Sequence, residues 1–248
     1  MDYIKSPLLL DILKPAAIVT AVFVVMALLA YFIKRTIKTR NNKPWLIKGS
    51  KNAKNSQVIT QDPKNENSIT LYRSDNEAGG AVFSYSFWFV IENMEYKYGE
   101  WKHIFHKGNK TSNPNRAPGV WIHPDKNSLR FYMNTMKNHL EHVDIDNIPI
   151  KRWVCCVLVL NGQNLDVYIN GHLKSRKQLE GVPRQNFGDL WVNLYGGFDG
   201  YLADLRYYRN ALDYKEIEEI VKEGPSKAPS LDSHKYPPYL DDNWWFDI

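Results

Sequence analysis

Two hydrophobic patterns divide the chain. From residue 16 to residue 33 there is no charged side chain. A helix of 18 residues, at about 1.5 Å each, is about 27 Å long, close to the hydrocarbon core of a bilayer. Pro15 fits the first position of that helix, where its missing N–H costs nothing. Further on, the period becomes two. In residues 81–91, Phe83, Tyr85, Phe87, Phe89 and Ile91 share one face, opposite Ser84, Ser86 and Trp88, the signature of a strand. Ile69 and Leu71 predict an earlier, first strand. Residues 103–108, 120–123 and 129–133 predict three more, the last two joined through Pro124-Asp125-Lys126-Asn127.

Residues 153–160 are continuously apolar, as in a strand covered on both faces. Leu165, Val167 and Ile169 then alternate. Asn161-Gly162 and Asn170-Gly171 fit type I′ turns, so residues 153–175 read as a three-strand meander. Leu190, Val192 and Leu194 alternate with Trp191, Asn193 and Tyr195. After Gly196-Gly197 and Gly200, Leu202, Asp204 and Arg206 alternate with Tyr201, Ala203, Leu205 and Tyr207. A helix over residues 213–223 closes the pattern. Asp213 caps it, Glu216 stands three residues later, Ile217, Ile220 and Val221 form its buried stripe, and Gly224-Pro225 stops it.

These patterns set the organisation. Residues 1–14 are a leader, 15–33 a transmembrane helix, 34–67 a basic juxtamembrane linker, 68–224 a β-sandwich and 225–248 a Pro-rich, aromatic tail. A cleaved signal peptide would have a shorter apolar core and a small-residue site after it, whereas here a basic run follows. Pro44-Trp45-Leu46-Ile47 is the one apolar knot in the linker, placed where Trp suits a bilayer interface.

Charge sharpens this division. The formal net charge is +5, yet Lys34, Arg35, Lys38, Arg40, Lys43, Lys48, Lys51 and Lys54 follow the apolar run with no acid among them. Setting those eight aside turns +5 into −3, which argues against nucleic acid as a partner. The same bias places the C-terminal side in the cytosol. Lys34, Arg35, Lys38, Arg40 and Lys43 either bind anionic headgroups, at about 1 kcal/mol each, or serve only as a solvated topology signal. The two cysteines, Cys155 and Cys156, are neighbours that point to opposite faces of a strand, so no disulfide framework is expected.

Several patches together resemble one family. Phe83-Ser84-Tyr85-Ser86-Phe87-Trp88-Phe89, the Lys107-Gly108 strand end, Leu165-Asp166-Val167-Tyr168-Ile169-Asn170-Gly171, and Phe198-Asp199-Gly200 through Arg206 to Ala211-Leu212 are similar to the laminin G-like (concanavalin A-like lectin/glucanase) group. The resemblance covers residues 68–224. It implies an all-β jelly roll of two antiparallel sheets with a short C-terminal helix. One position departs from the family: Ala203 stands where the first of an acidic pair is usual, leaving only Asp204.

Some relatives bind calcium, and the resemblance makes Asp199 and Asp204 its candidate ligands. No other cofactor is expected. Enzymatic activity is not expected either, because the hydrolase branch carries Glu-x-Asp-x-x-Glu and residues 141–146 lack that spacing and its final Glu. His103 with His106, and His139 with His142, lie three apart, which on a regular strand points each pair to opposite faces; they are expected at the rim or in solvent. Trp121, Trp191 and Tyr195 either stack on sugars or fill the core. Asn109-Lys110-Thr111 is a glycosylation acceptor, relevant only to a lumenal domain.

In the tail, Tyr236, Tyr239, Trp244, Trp245 and Phe246 are too apolar for plain solvent and read as a docking peptide; Tyr236-Pro237-x-x-Leu240 also looks like a short membrane-scission signal. The expectation is a single-pass, non-enzymatic structural protein whose domain lies on the cytosolic side and ties a membrane to a protein layer. It resembles membrane-anchored minor capsid proteins of large DNA viruses, at the boundary between internal membrane and capsid. The alternative is a surface-exposed carbohydrate-binding or adhesion module, with glycans as partners.

Overall fold

The structure, a computed structural model, describes residues 7–74 and 80–226. It divides into two compact units, residues 1–42 and residues 43–248. The first is a helix, α1 (Pro7–Asn42). It begins with a proline at residue 7 and runs through Pro15, so the expected start at residue 15 is corrected. Lys14–Lys38 is long and apolar enough to cross a membrane, a property that an N-terminal signal sequence shares. Within it the hydroxyls of Thr20 and Thr36 donate back to the carbonyls of Ala16 and Phe32 at 3.0 and 2.9 Å, which satisfies them without water. Lys34, Arg35, Lys38 and Arg40 stand within α1 rather than in a linker.

The second unit is a sandwich. In chain order its strands are β1 (Ser50–Asn52), β2 (Gln57–Ile59), β3 (Val82–Asn93), β4 (Lys102–Gly108), β5 (Arg116–Ile122), β6 (Ser128–Tyr132), β7 (His142–Asp146), β8 (Val154–Asn161), β9 (Asn164–Ile169), β10 (His172–Gln178), β11 (Asp189–Val192) and β12 (Asp199–Tyr208), followed by α2 (Tyr214–Glu223). One sheet runs β1-β12-β3-β8-β9-β10 and the other β2-β11-β4-β5-β6-β7, every pairing antiparallel.

The main core fills the space between the sheets, with Phe87, Phe89, Phe105, Phe131 and Phe198 fully buried. β8 serves two cores, as its unbroken apolar run predicts. Val154, Cys156, Leu158 and Leu160 face the main core, and Cys155, Val157 and Val159 face a second cluster beneath Ile217 of α2. The cysteines therefore point apart, and both are free thiols. The helix is closed by a full capping box: the Asp213 carboxylate accepts from the Glu216 N–H at 2.8 Å and the Glu216 side chain accepts from the Asp213 N–H at 3.2 Å.

Three local expectations are corrected. Residues 43–67 are not a linker, because β1 and β2 each add an edge strand and Leu46, Ile47, Ala53 and Ile59 enter the main core. Ile69 and Leu71 form no strand. Their backbone is held instead by Gln61, whose side-chain amide donates to the Ile69 carbonyl and accepts from the Leu71 N–H, both at 2.9 Å. The two hairpin turns also differ. Asn170 and Gly171 both have positive φ, as type I′ needs, but Asn161 pairs with Asn164 around Gly162-Gln163, and of those two only Gly162 has positive φ. That is the pattern of a type II′ turn, with glycine first.

Candidate binding face on the second sheet

The outer face of the second sheet carries side chains unlike an ordinary solvent face. Strand register builds two rows across it. In the first, Trp191 of β11 lies beside His106 of β4, then Gly119 of β5, Tyr132 of β6 and His142 of β7. In the second, His103 neighbours Trp121, Arg130 and Asp144. None of these side chains belongs to the main core.

A β-bulge makes the face possible. The register of β4 against β5 shifts between His103 and Phe105, so Ile104 is an extra residue and both Ile104 and Phe105 turn inward. His103 and His106 then share the outer face. Far from being rim or solvent groups, both are fully buried. Their rings touch, with His103 Nε2 2.7 Å from His106 Nδ1.

The backbone fixes every proton in this pair. The Leu194 N–H donates to His103 Nδ1 at 2.9 Å, so His103 carries its proton on Nε2 and donates to His106. His106 in turn donates from Nε2 to the Asn109 carbonyl at 2.7 Å. Each imidazole is neutral, with one donor and one acceptor nitrogen used. Burial pushes His103 well below the ordinary histidine value, and the neighbouring His106 adds to this. Burial also lowers His106 to about 4, against the Asn109 carbonyl that favours its charge and with Arg116 disfavouring it.

Glycine at residue 119 shapes the next part of the face. A Cβ there would lie 2.3 Å from Trp121 Cζ3, so the missing side chain lets the indole lie across its own strand. The indole stacks on His106, with ring centroids 5.7 Å apart at 19°, and meets Tyr132 edge-on at 5.3 Å. Arg116 places its guanidinium 3.6 Å from the Tyr132 ring centroid and 5.4 Å from that of Trp121. Arg130 lies 4.8 Å from the Trp101 ring and is bound by both oxygens of Asp144 at 2.7 and 2.6 Å. That carboxylate raises the Arg130 pKa, and Arg130 lowers that of Asp144.

At the edge, Tyr195 is 59% exposed and holds φ at 58°, a left-handed conformation rare for a tyrosine. Its hydroxyl donates to the Lys110 carbonyl at 3.3 Å and its own carbonyl accepts from Lys97.

The residues singled out in the sequence fall in different places. Trp121, Trp191 and Tyr195 all lie outside the main core, Trp191 anchored through its indole N–H to the Gly108 carbonyl at 3.1 Å. Asp199 and Asp204 have different partners: Asp199 pairs with Lys54 at 2.7 Å, whereas Asp204 accepts from the Gly49 N–H and from Ser226. Among the described residues no three His, Cys, Asp or Glu converge as metal ligands. Lys43 belongs to the sandwich and pairs with Glu216 at 2.9 Å. Tyr236, Tyr239, Trp244, Trp245 and Phe246 lie outside the described residues. Trp101, Arg116, Arg130 and Tyr132 were not expected at all, although glycine inside the strand at 119, two residues before Trp121, marks a close approach.

Residues 63–218 match the family model of the concanavalin A-like lectin/glucanases superfamily. No curated protein matches the sequence. Similar solved structures include the receptor binding domain of botulinum neurotoxin D, at 15% identity and a TM-score of 0.53 over 74% of this chain and 53% of that one. Another is the botulinum neurotoxin serotype D ligand binding domain in complex with N-acetylneuraminic acid, at 14% identity and a TM-score of 0.52 over 75% and 52%. This chain spans about half the length of these two domains, 53% and 52%, and likeness at this identity speaks to the fold alone.

Proposed function

We propose that this chain, which belongs to the concanavalin A-like lectin/glucanases superfamily, is a non-enzymatic interaction module held at a membrane by its N-terminal helix. Its contact surface is the outer face of the second sheet. One observation carries the reading: Trp101, Tyr132 and Tyr195 with Arg116 and Arg130, over the buried Trp121, line a sheet face that no other layer packs against among the described residues. Trp, Tyr and Arg are the side chains in which protein–protein contact energy concentrates. Catalysis finds no support there, since glycoside hydrolysis needs two carboxylates facing one bond and Asp144 is held by Arg130.

In its fuller form the reading makes the partner a protein layer on the cytosolic side, as where a large DNA virus builds a minor capsid protein between internal membrane and shell. The basic C-terminal turns of α1 support that orientation, and so do two free, buried thiols. Lys34, Arg35, Lys38 and Arg40 then meet anionic headgroups. The sandwich begins at Lys43, directly after α1 ends at Asn42.

The second reading is a surface-exposed glycan-binding module, favoured by the open rings of Tyr195 and Trp101. Protease protection on sealed membranes carrying the full chain separates the two. A domain cut from the cytosolic side, with Asn109 unmodified, supports the membrane-to-layer role; a protected domain glycosylated at Asn109 overturns it in favour of glycan recognition.

A further inference from the structure

Two guanidinium groups share the binding face, and they are not equivalent. Arg130 has a bidentate carboxylate, Asp144. Arg116, half-buried, has the rings of Tyr132 and Trp121 against it but no carboxylate in ion-pair range among the described residues. The ring faces attract its charge and the Tyr132 hydroxyl takes a hydrogen bond from it, yet no carboxylate among the described residues meets its remaining N–H donors. The groups around it add no negative charge: His106 and His103 are neutral, and Arg130 is a second cation. Burial without a counter-ion is costly for a cation, and it lowers the Arg116 pKa. A carboxylate arriving from outside removes that penalty and meets aromatic surface beside it.

The chain carries a segment of matching chemistry. Asp241-Asp242-Asn243-Trp244-Trp245-Phe246-Asp247 places three carboxylates around three large rings. The point from which it departs is fixed, because the Ser226 N–H and hydroxyl donate to the two oxygens of Asp204 at 2.6 and 2.7 Å. From Ser226 to Asp241 an extended chain reaches about 50 Å, against about 10 Å between packed sheets. It can therefore reach the far face of its own sandwich or that of a neighbouring copy.

We propose that Arg116, with Tyr132 above the buried Trp121, forms a docking site for the acidic–aromatic segment 241–247 of this chain, one Asp carboxylate pairing with the guanidinium. The proposal rests on the outer face being the contact surface, and it assigns that face a first occupant. An external protein layer would then have to displace the tail, or receive it from a neighbour.

The test uses the purified full chain in detergent micelles, with chymotrypsin cleavage at Trp244 to Phe246 as readout. In the wild type the tail should be cut slowly. Arg116→Glu should speed cleavage about tenfold, as expected when one charge-assisted pair is lost, and so should Asp241→Asn with Asp242→Asn. The second variant lies outside the described fold and stands if Arg116→Glu fails to fold. Combining Arg116→Glu with Asp241→Arg and Asp242→Arg should restore protection. Protection that is independent of protein concentration assigns the chain's own tail, and protection that fades on dilution assigns a neighbour's.

Equal cleavage of wild type and the Asp241/Asp242 variant overturns the proposal. So does a wild type that is stabilised, through Arg116, by N-acetylneuraminic acid or a sulfated oligosaccharide while its tail stays open, an outcome that assigns the face to acidic sugar. No membrane or protein layer is present in this assay, so its failure leaves the membrane-to-layer reading to its own test.

Discussion

Acid should destabilise the sandwich through its histidine pair, and the size of the effect follows from the geometry. In the fold His103 Nδ1 and His106 Nδ1 both accept protons, from Leu194 N–H and from His103, so charging either ring sets donor against donor. Arg116 faces the pair from β5 and adds to the cost of a positive charge. An unfolded histidine titrates near 6.5 and His106 in the fold near 4. Between those values the unfolded chain binds more protons than the native one, so stability falls as pH falls. At about 1.4 kcal/mol per pH unit the loss by pH 4 is about 3 kcal/mol, or about 10 °C in Tm for a domain of this size. Asp144, lowered by Arg130, keeps its ion pair in the fold through this window.

The assay is thermal unfolding of the full chain between pH 7 and pH 4, set against His106→Gln. Glutamine retains an acceptor for His103 and a donor for the Asn109 carbonyl but cannot titrate, so its profile should be flatter over the same range. Equal slopes for wild type and His106→Gln would refute the proton assignment. Nitrogen-15 shifts of the imidazoles give a second check, since both rings should be protonated on Nε2 at pH 7.

Three further outcomes are expected. Gly119→Ala places a methyl 2.3 Å from Trp121 Cζ3 and 3.3 Å from His106 Cβ; chemical denaturation should show a loss of about 1–3 kcal/mol from overpacking. Burial pushes the Cys155 thiol up to about 12 and Cys156 well above its ordinary value, so at pH 8 a thiol reagent should label both only as the sandwich unfolds. Asp213→Ala removes the carboxylate that accepts from Glu216 N–H and should cost about 1 kcal/mol, read as a shift in the denaturant midpoint with unchanged slope.

Most of the fold was legible because burial imposes a period on the long strands. β3 and β8 are in the middle of one sheet, where two-sided cover demands apolar residues, and the capping box of α2 is a local signal that needs no tertiary context. β1 and β2 were not legible. Ser50-Lys51-Asn52 and Gln57-Val58-Ile59 are three residues each, too short to show a period, and they pair at sheet edges where polar residues are tolerated. Their membership is decided by distant partners, Tyr201 to Ala203 and Leu190 to Val192. Gln61 hid the path of Ile69 and Leu71 in the same way, because a side-chain amide took the place of a strand neighbour.

The binding face was hidden by a single inserted residue. With a strict period of two, His103 and His106 fall on opposite faces and neither meets the other. One bulge at Ile104 reverses that parity, and nothing in His103-Ile104-Phe105-His106 announces it. Trp121 and Arg130 become neighbours only through the hairpin register between β5 and β6. Composition counts such residues as core aromatics and surface cations, and only the pairing of strands shows that they form one layer. The same parity explains the acid response. Without the bulge, two separated histidines would titrate independently. With it, they form one directed chain of hydrogen bonds from Leu194 to Asn109. That chain ties the segment carrying Tyr195 to the loop that ends at Arg116. A perturbation at His106 should therefore be felt at both edges of the proposed contact surface.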